Sequence, residues 1–290
     1  MKKKYIFFLL ILTIVLMVFF FYVKSLKVKN SERVISHFDE SANFIVNGKI
    51  KTSQLDVKKA TKIEYAIPIF MYHFIRDDTG DYQYPENMVK PSSLKEQLKY
   101  LSENGHETIF VSDIDNLELY KKPVILTFDD SWEDFYINAF PLLKEYNLKA
   151  TLYVITSFVG KAGYCTLDEL KEIKQSGLVD IQSHSISHPR LSKLSNEEIV
   201  KELRESKEFL KENLNVDVNT ICYPYGDYNK AVIEEARNMG YRFGIAMTGG
   251  VFYSKTHKDL YQIPRIYLNR SMSINTFINY CKKSSVSVTW

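Results

Sequence analysis

From Ala66 onward, short apolar runs alternate with amphipathic helical stretches, and this alternation restricts the fold more than any other feature. The strand-like runs are IPIFMY at 67–72, TIFVS at 108–112, PVILTF at 123–128 and ATLYVI at 150–155. They continue as VDIQS at 179–183, TICYP at 220–224, FGIAM at 243–247 and IPRIYL at 263–268. Between them, Leu94, Leu98 and Leu101 recur on one helical face that stops at Gly105. A second helix starts at a Ser195 cap and repeats apolar residues at Ile199, Leu203, Phe209 and Leu210. A third turns Val232, Ile233 and Ala236 inward and ends at Gly240. Strands that are apolar at nearly every position are buried on both faces, which calls for a parallel sheet covered by helices. The expectation is an α/β fold, a distorted (β/α) barrel of seven to eight parallel strands, with an open doubly wound sheet as the alternative. No GxGxxG or P-loop pattern is present, which counts against a nucleotide-binding version. Either architecture gathers its chemistry at the carboxyl ends of the strands.

The N-terminus has a different character. MKKK precedes an uncharged apolar run from Tyr5 to Val23, and Lys24 follows. As a helix rising about 1.5 Å per residue this run spans roughly 28 Å, close to the hydrocarbon thickness of a bilayer. The bulky VFFFYVKS sequence offers no small-x-small cleavage site, so the run reads as an uncleaved anchor rather than a cleaved signal peptide. Lys2, Lys3 and Lys4 should stay cytoplasmic by the positive-inside rule. The expected organisation is a cytoplasmic stub at 1–4, a single transmembrane helix at 5–23, an extracytoplasmic spacer at 24–62 and a folded domain at 63–290. Within the spacer, NFIVNGKI has the signature of a short hairpin around Asn47-Gly48.

A formal charge of +3 with Lys and Arg scattered among Asp and Glu excludes a basic nucleic-acid-binding face. Cys165, Cys222 and Cys281 are widely spaced and odd in number, so neither a disulfide framework nor a cysteine zinc site is expected.

Polar residues cluster at four of the expected strand ends: His73; Asp129 with Asp130; His184 with His188; and Tyr223, Tyr225 and Asp227. Adjacent carboxylates at the end of an apolar strand repel unless a cation lies near. Taken alone, TFDD could instead start a helix, with Asp130 or Ser131 as its cap. HSISH sets two imidazoles four residues apart, where a helical turn brings both to one side. Taken alone, it is equally a polar turn before Pro189. Together the clusters offer two histidines and one carboxylate, the three-ligand set of a catalytic zinc, plus a spare carboxylate as general base. That chemistry is hydrolytic. Zinc is the default for such ligands, and cobalt or nickel suits the same set.

At these residues the sequence resembles the polysaccharide deacetylases, the NodB-homology or carbohydrate esterase family 4 enzymes, over roughly residues 67–270. Their first motif, TFDD, stands at Thr127–Asp130, and their second, H-S/T-x-x-H, at His184–His188. PIFMYH and CYPYG resemble the branch acting on exopolysaccharide or cell-wall N-acetylglucosamine. The resemblance implies Asp129 as general base and Asp130, His184 and His188 as ligands of a divalent metal. It places Thr127 or Ser185 behind a ligand, and Tyr225 where a backbone N–H stabilises the oxyanion. The implied partner is an N-acetylated glycan polymer, and the implied site of action is outside the cell membrane.

Two departures stand out. The arginine that many members carry two residues before the third-motif proline is Cys222 here. No histidine follows His257, where a late histidine usually serves as general acid. Arg265 is a candidate to restrain Asp129 or bind substrate, with a structural salt bridge as the alternative. His73 is a candidate active-site residue or a core histidine, and His257 reads as a surface residue. Trp132, Tyr223 and Tyr225 are candidates to stack on sugar rings, whereas Tyr228 reads as packing. The departures keep two other functions open: a degenerate glycan-binding member of the same fold, and a small-molecule amidohydrolase.

Overall fold

The apolar runs form strands buried on both faces, and Pro123–Phe128 is buried at all six positions. In this computed structural model residues 62–78 and 84–289 are described. The first strands are β1 (Lys62–Ile67), β2 (Ile69–Tyr72), β3 (Phe74–Ile75), β4 (Met88–Val89), β5 (Glu107–Ile109) and β6 (Pro123–Phe128). There follow β7 (Ala150–Val154), β8 (Val179–Ser183), β9 (Thr220–Cys222) and β10 (Phe243–Ile245). Last come β11 (Phe252–Tyr253), β12 (Ile266–Tyr267) and β13 (Ser285–Thr289). The helices are α1 (Pro91–Glu103), α2 (Phe140–Tyr146), α3 (Leu167–Gln175), α4 (Asn196–Leu214), α5 (Lys230–Asn238) and α6 (Ile274–Cys281).

The main sheet runs β10-β9-β8-β7-β6-β2-β12, with every pairing parallel. β5 pairs with the first half of β6, at Pro123–Ile125, while β7 pairs with its end, at Thr127 and Phe128. This wedge is one source of the distortion. The other lies where a barrel would close: a single parallel bridge, Ile245 to Ile263, joins β10 to the segment leading into the two-residue β12. The result is a seven-strand half-barrel path with an eighth strand wedged beside β6, in keeping with the expected (β/α) barrel.

Alternation within the strands separates two cores, because neighbouring residues point to opposite faces. Phe70, Leu126, Leu152 and Ile221 join the larger cluster, together with Leu94, Leu98, Leu203 and Phe277 from the helices. Ile69, Ile125, Tyr153 and Cys222 form the second cluster with Phe243 and Ile245. By the same alternation Thr127 and Asp129 follow Ile125 onto the inner face.

Helix boundaries follow local chemistry. Ser195 caps α4 in a reciprocal capping box with Glu198, as its sequence predicts, and Asn215 ends the helix in the left-handed region at φ 51°. Its buried face is Ile199, Leu203, Ser206, Leu210 and Leu214, with Phe209 only partly buried. In α5, Val232 and Ala236 are buried and Ile233 lies partly exposed.

A three-stranded antiparallel sheet, β11-β1-β13, was not legible as such. β1 pairs with β13 from Lys62↔Thr289 to Ala66↔Ser285 and with β11 at Ile67↔Phe252. Pro68, which lacks an N–H, separates β1 from β2, so one continuous apolar run serves two sheets. The expected spanning helix at 5–23, the hairpin at Asn47-Gly48 and the spacer up to residue 61 lie outside the described residues. Among the described residues no helix is long and apolar enough to cross a membrane.

Candidate active site

The turns that follow β6, β8 and β9 carry unusual backbone. Among the described residues, five of the seven non-glycine residues with positive φ are Asp130 (72°), Ser131 (59°), Ser185 (63°), His188 (60°) and Tyr225 (59°). Left-handed conformations at such residues cost on the order of 1–3 kcal/mol and persist where their surroundings hold them. Gly226, at φ 62°, completes the Tyr225 turn; a Cβ there would come within 2.7 Å of the Met247 side chain.

These turns bring Asp130, His184 and His188 together. Asp130 Oδ1 lies 3.4 Å from His184 Nε2 and 3.6 Å from His188 Nε2. Neither Asp130 nor Ser131 caps the helical segment that follows. Instead the Trp132 indole N–H donates to Asp130 Oδ2 at 2.9 Å, leaving Oδ1 buried with no hydrogen-bond partner. His184 Nδ1 lies 2.8 Å from the Cys222 carbonyl oxygen, which makes Nδ1 the donor and turns Nε2 toward Asp130. The two histidines sit in an extended turn rather than a helix.

Burial would raise the Asp130 carboxyl, but the imidazole of His184 beside it outweighs this and holds it well below the usual range. Burial, with the charge of His184 alongside, lowers His188 to about 4. A tetrahedral ion with bonds of about 2.1 Å sets its ligand atoms roughly 3.4 Å apart, so the carboxylate–imidazole separations fit a divalent metal. A second grouping, Asp129, His184 and Cys222, also has its polar atoms close together. That space is filled by Arg265 bonded to Asp129 and Cys222, and His184 turns its Nδ1 to a backbone carbonyl there.

Asp129 and Arg265 are both buried on the inner face. Arg265 donates from Nη1 to Asp129 Oδ1 at 2.7 Å and from Nη2 to Oδ2 at 2.8 Å. Further donations to Thr127 Oγ1 (3.0 Å), the Ala246 carbonyl (3.1 Å) and Cys222 Sγ (3.2 Å) lock its orientation. Thr127 therefore backs Arg265 rather than a metal ligand, and its own hydroxyl donates a hydrogen bond to the Phe70 carbonyl at 2.8 Å. Burial raises the Asp129 carboxyl, but Arg265, with His73 nearby, outweighs it and holds it below the usual range. Burial also raises the Cys222 thiol, which meets Arg265 as a neutral group.

His73 follows β2 with Nε2 3.8 Å from Asp129 Oδ2, and its Nδ1 is buried without a partner. Tyr225 is 48% exposed; its ring lies 4.5 Å from His188, with the Arg190 guanidinium 4.6 Å over it. Tyr228 packs on Tyr223, as its packing role predicts. His257 lies away from the cleft, its Nδ1 accepting the Tyr253 N–H at 3.0 Å. An open cleft of about 610 Å³ is lined by His73, Asp129, Asp130, His184, His188 and Tyr225. One wall is an aromatic row with centroid separations of 4.4 Å for Phe74–Trp132, 4.2 Å for Trp132–Tyr164 and 4.9 Å for Tyr164–Phe158. Trp132 was expected only as a stacking ring; its N–H contact with Asp130 carries no signal in the sequence.

Residues 117–244 match the sequence profile of the family described as polysaccharide deacetylase. The chain is 30% identical over 219 residues to YxkH of Bacillus subtilis, whose name places it among the polysaccharide deacetylases, covering 74% of this chain and 75% of that protein. It is 29% identical to a poly-β-1,6-N-acetyl-D-glucosamine N-deacetylase of Staphylococcus aureus, covering 69% of this chain and 74% of that one. Its fold superposes on the Streptococcus pyogenes deacetylase PplD, solved with acetate, with a TM-score of 0.69 and 32% identity, over 74% of this chain and 98% of that one.

Proposed function

The chain belongs to the polysaccharide deacetylase family, whose members hydrolyse N-acetyl amides, and from that premise we propose that it deacetylates an extracellular polymer containing N-acetylglucosamine. The observation that carries the reading is the buried, unpartnered Oδ1 of Asp130 facing two imidazoles, beside a second carboxylate held by a guanidinium. The relatives named for such polymers supply the substrate class. The open, aromatic-walled cleft suits a chain of sugars better than the closed pocket of a small-molecule amidohydrolase.

In this reading Asp130, His184 and His188 hold a divalent metal, zinc by ligand type, with cobalt or nickel as substitutes. Bound there, the metal supplies Lewis-acid activation of water and of the acetyl carbonyl. Asp129 takes the proton of the attacking water; Arg265 keeps its carboxylate ionised and aimed while leaving lone pairs free. The Tyr225 backbone N–H faces the developing oxyanion. His73 protonates the departing amine, being the one cleft histidine outside the ligand pair among the described residues. Arg265 also answers the departure at Cys222: a guanidinium engages Asp129 from the segment leading into β12, which weighs against a degenerate, binding-only protein. The apolar run at 5–23 supports placing the enzyme at the cell membrane with its cleft outside.

The test is acetate release from chito-oligomers, poly-β-1,6-N-acetylglucosamine and peptidoglycan, with added metal and after chelation. Metal-dependent release from one polymer is expected. Metal binding with no release from any of the three would overturn the enzymatic reading in favour of glycan binding.

A further inference from the structure

The two histidines are not held alike. His184 is fixed twice, its N–H donating to the Val154 carbonyl at 2.9 Å and its Nδ1 meeting the Cys222 carbonyl at 2.8 Å. Among the described contacts the His188 ring touches only other rings, His184 at 4.7 Å and Tyr225 at 4.5 Å, and the carboxylate of Asp130. Its position therefore depends on the backbone between the two, which is left-handed at Ser185 and again at His188 itself.

The middle of that turn is held from outside the cleft. Glu202, on α4, accepts the Ile186 N–H at 2.8 Å and the Ser187 N–H at 3.0 Å with Oε2. Its Oε1 accepts the Ser187 hydroxyl at 2.7 Å. Hydrogen bonds to an ionised carboxylate are about twice as strong as neutral ones, and here one side chain takes three from two consecutive residues. α4 is itself rigid at this point, with Leu203 and Ser206 buried and a capping box one turn earlier.

We propose that Glu202 is a positioning residue for the metal site: it shapes the Ser185–Ser187 turn and thereby presents His188 to the position shared with His184 and Asp130. Glu202 touches neither substrate nor metal. It acts through the backbone, in the way that groups behind a ligand tune affinity by about 10- to 100-fold.

The inference rests on the reading of His184 and His188 as ligands, and the experiment separates the two. Metal-depleted full-length chain in detergent is titrated with Zn²⁺ against a chromophoric chelator, and its Co²⁺ form is recorded by visible absorption. Wild type should bind tightly; if it binds no Zn²⁺, the ligand reading itself fails. Glu202→Ala should weaken Zn²⁺ binding about tenfold and change the Co²⁺ bands. Glu202→Gln, which keeps one acceptor oxygen and the side-chain volume, should fall between and covers the case in which the alanine variant does not fold. Glu198→Ala, which breaks the cap of the same helix, should lower the melting temperature but leave both metal readouts unchanged. The proposal is overturned if wild type binds Zn²⁺ and both Glu202 variants match its affinity and Co²⁺ spectrum, or if Glu198→Ala weakens binding as much as Glu202→Ala does.

Discussion

Arg265 grips both oxygens of Asp129, at 2.7 and 2.8 Å, across 136 residues of chain and with almost no exposure of either group. A guanidinium forked onto a carboxylate sets its plane as well as its charge. Burial alone would push the Asp129 carboxyl upward; Arg265 brings it below the usual range.

Replacing Arg265 by Gln removes the largest influence that opposes burial, so Asp129 titrates at higher pH. A general base works only when deprotonated, and the acid limb of the kcat/KM profile should therefore move to higher pH. Lys should restore the position only in part, because it cannot fork. The depressed carboxyl also stabilises the fold above the ordinary value of about 3.9, and that contribution fades as pH falls through the folded value. Breaking a buried pair costs about 3–5 kcal/mol, which urea unfolding at neutral pH will show as an earlier midpoint for Arg265→Gln. An unmoved acid limb would sink the positioning role.

Asp129→Asn removes the proposed base but none of the three proposed ligands. Acetate release should drop by roughly 10²- to 10⁴-fold, while Zn²⁺ affinity stays within a few-fold of wild type. Equal loss of binding and turnover would move Asp129 into the ligand set instead.

His73→Gln tests the acid. Acetate release should drop by roughly 10²- to 10⁴-fold, while Zn²⁺ affinity stays within a few-fold of wild type. A variant with full activity would return His73 to a packing role.

Trp132→Phe keeps a ring between Phe74 and Tyr164 but deletes the N–H that engages Asp130 Oδ2 at 2.9 Å. Zn²⁺ affinity should fall about tenfold as the carboxylate is freed to turn. Fold stability should change by no more than about 3 kcal/mol, the upper range for one hydrogen bond to a charged group. Chelator competition and thermal melting separate the two effects.

Much of the fold was legible because burial writes itself locally. All eight strand-like runs overlap strands of the main sheet, since a strand covered on both faces must be apolar along its length. β1 and β13 escaped because KIEYAI merges with the next run at Pro68 and SVSVT has too little apolar content to announce a strand. Asp129, Asp130, His184, His188, His73 and Tyr225 were found as polar residues at strand ends, and the structure gathers them around one cleft.

The sequence by itself determined the order of strands and helices, the two short motifs and the strand ends that carry them. These depend on periods of two and of about 3.6 residues, which any short window contains. Tertiary structure alone decided which side chains meet. Arg265 reaches Asp129 only because β12 returns beside β2 and the small side chain of Cys222 leaves room for a guanidinium. Trp132 turns its N–H to one oxygen of Asp130, and Glu202 holds the turn between two histidines from a helix 15–16 residues further on. Such pairings are set by the curvature of the sheet and by the directions in which buried side chains must point, and no local pattern records them.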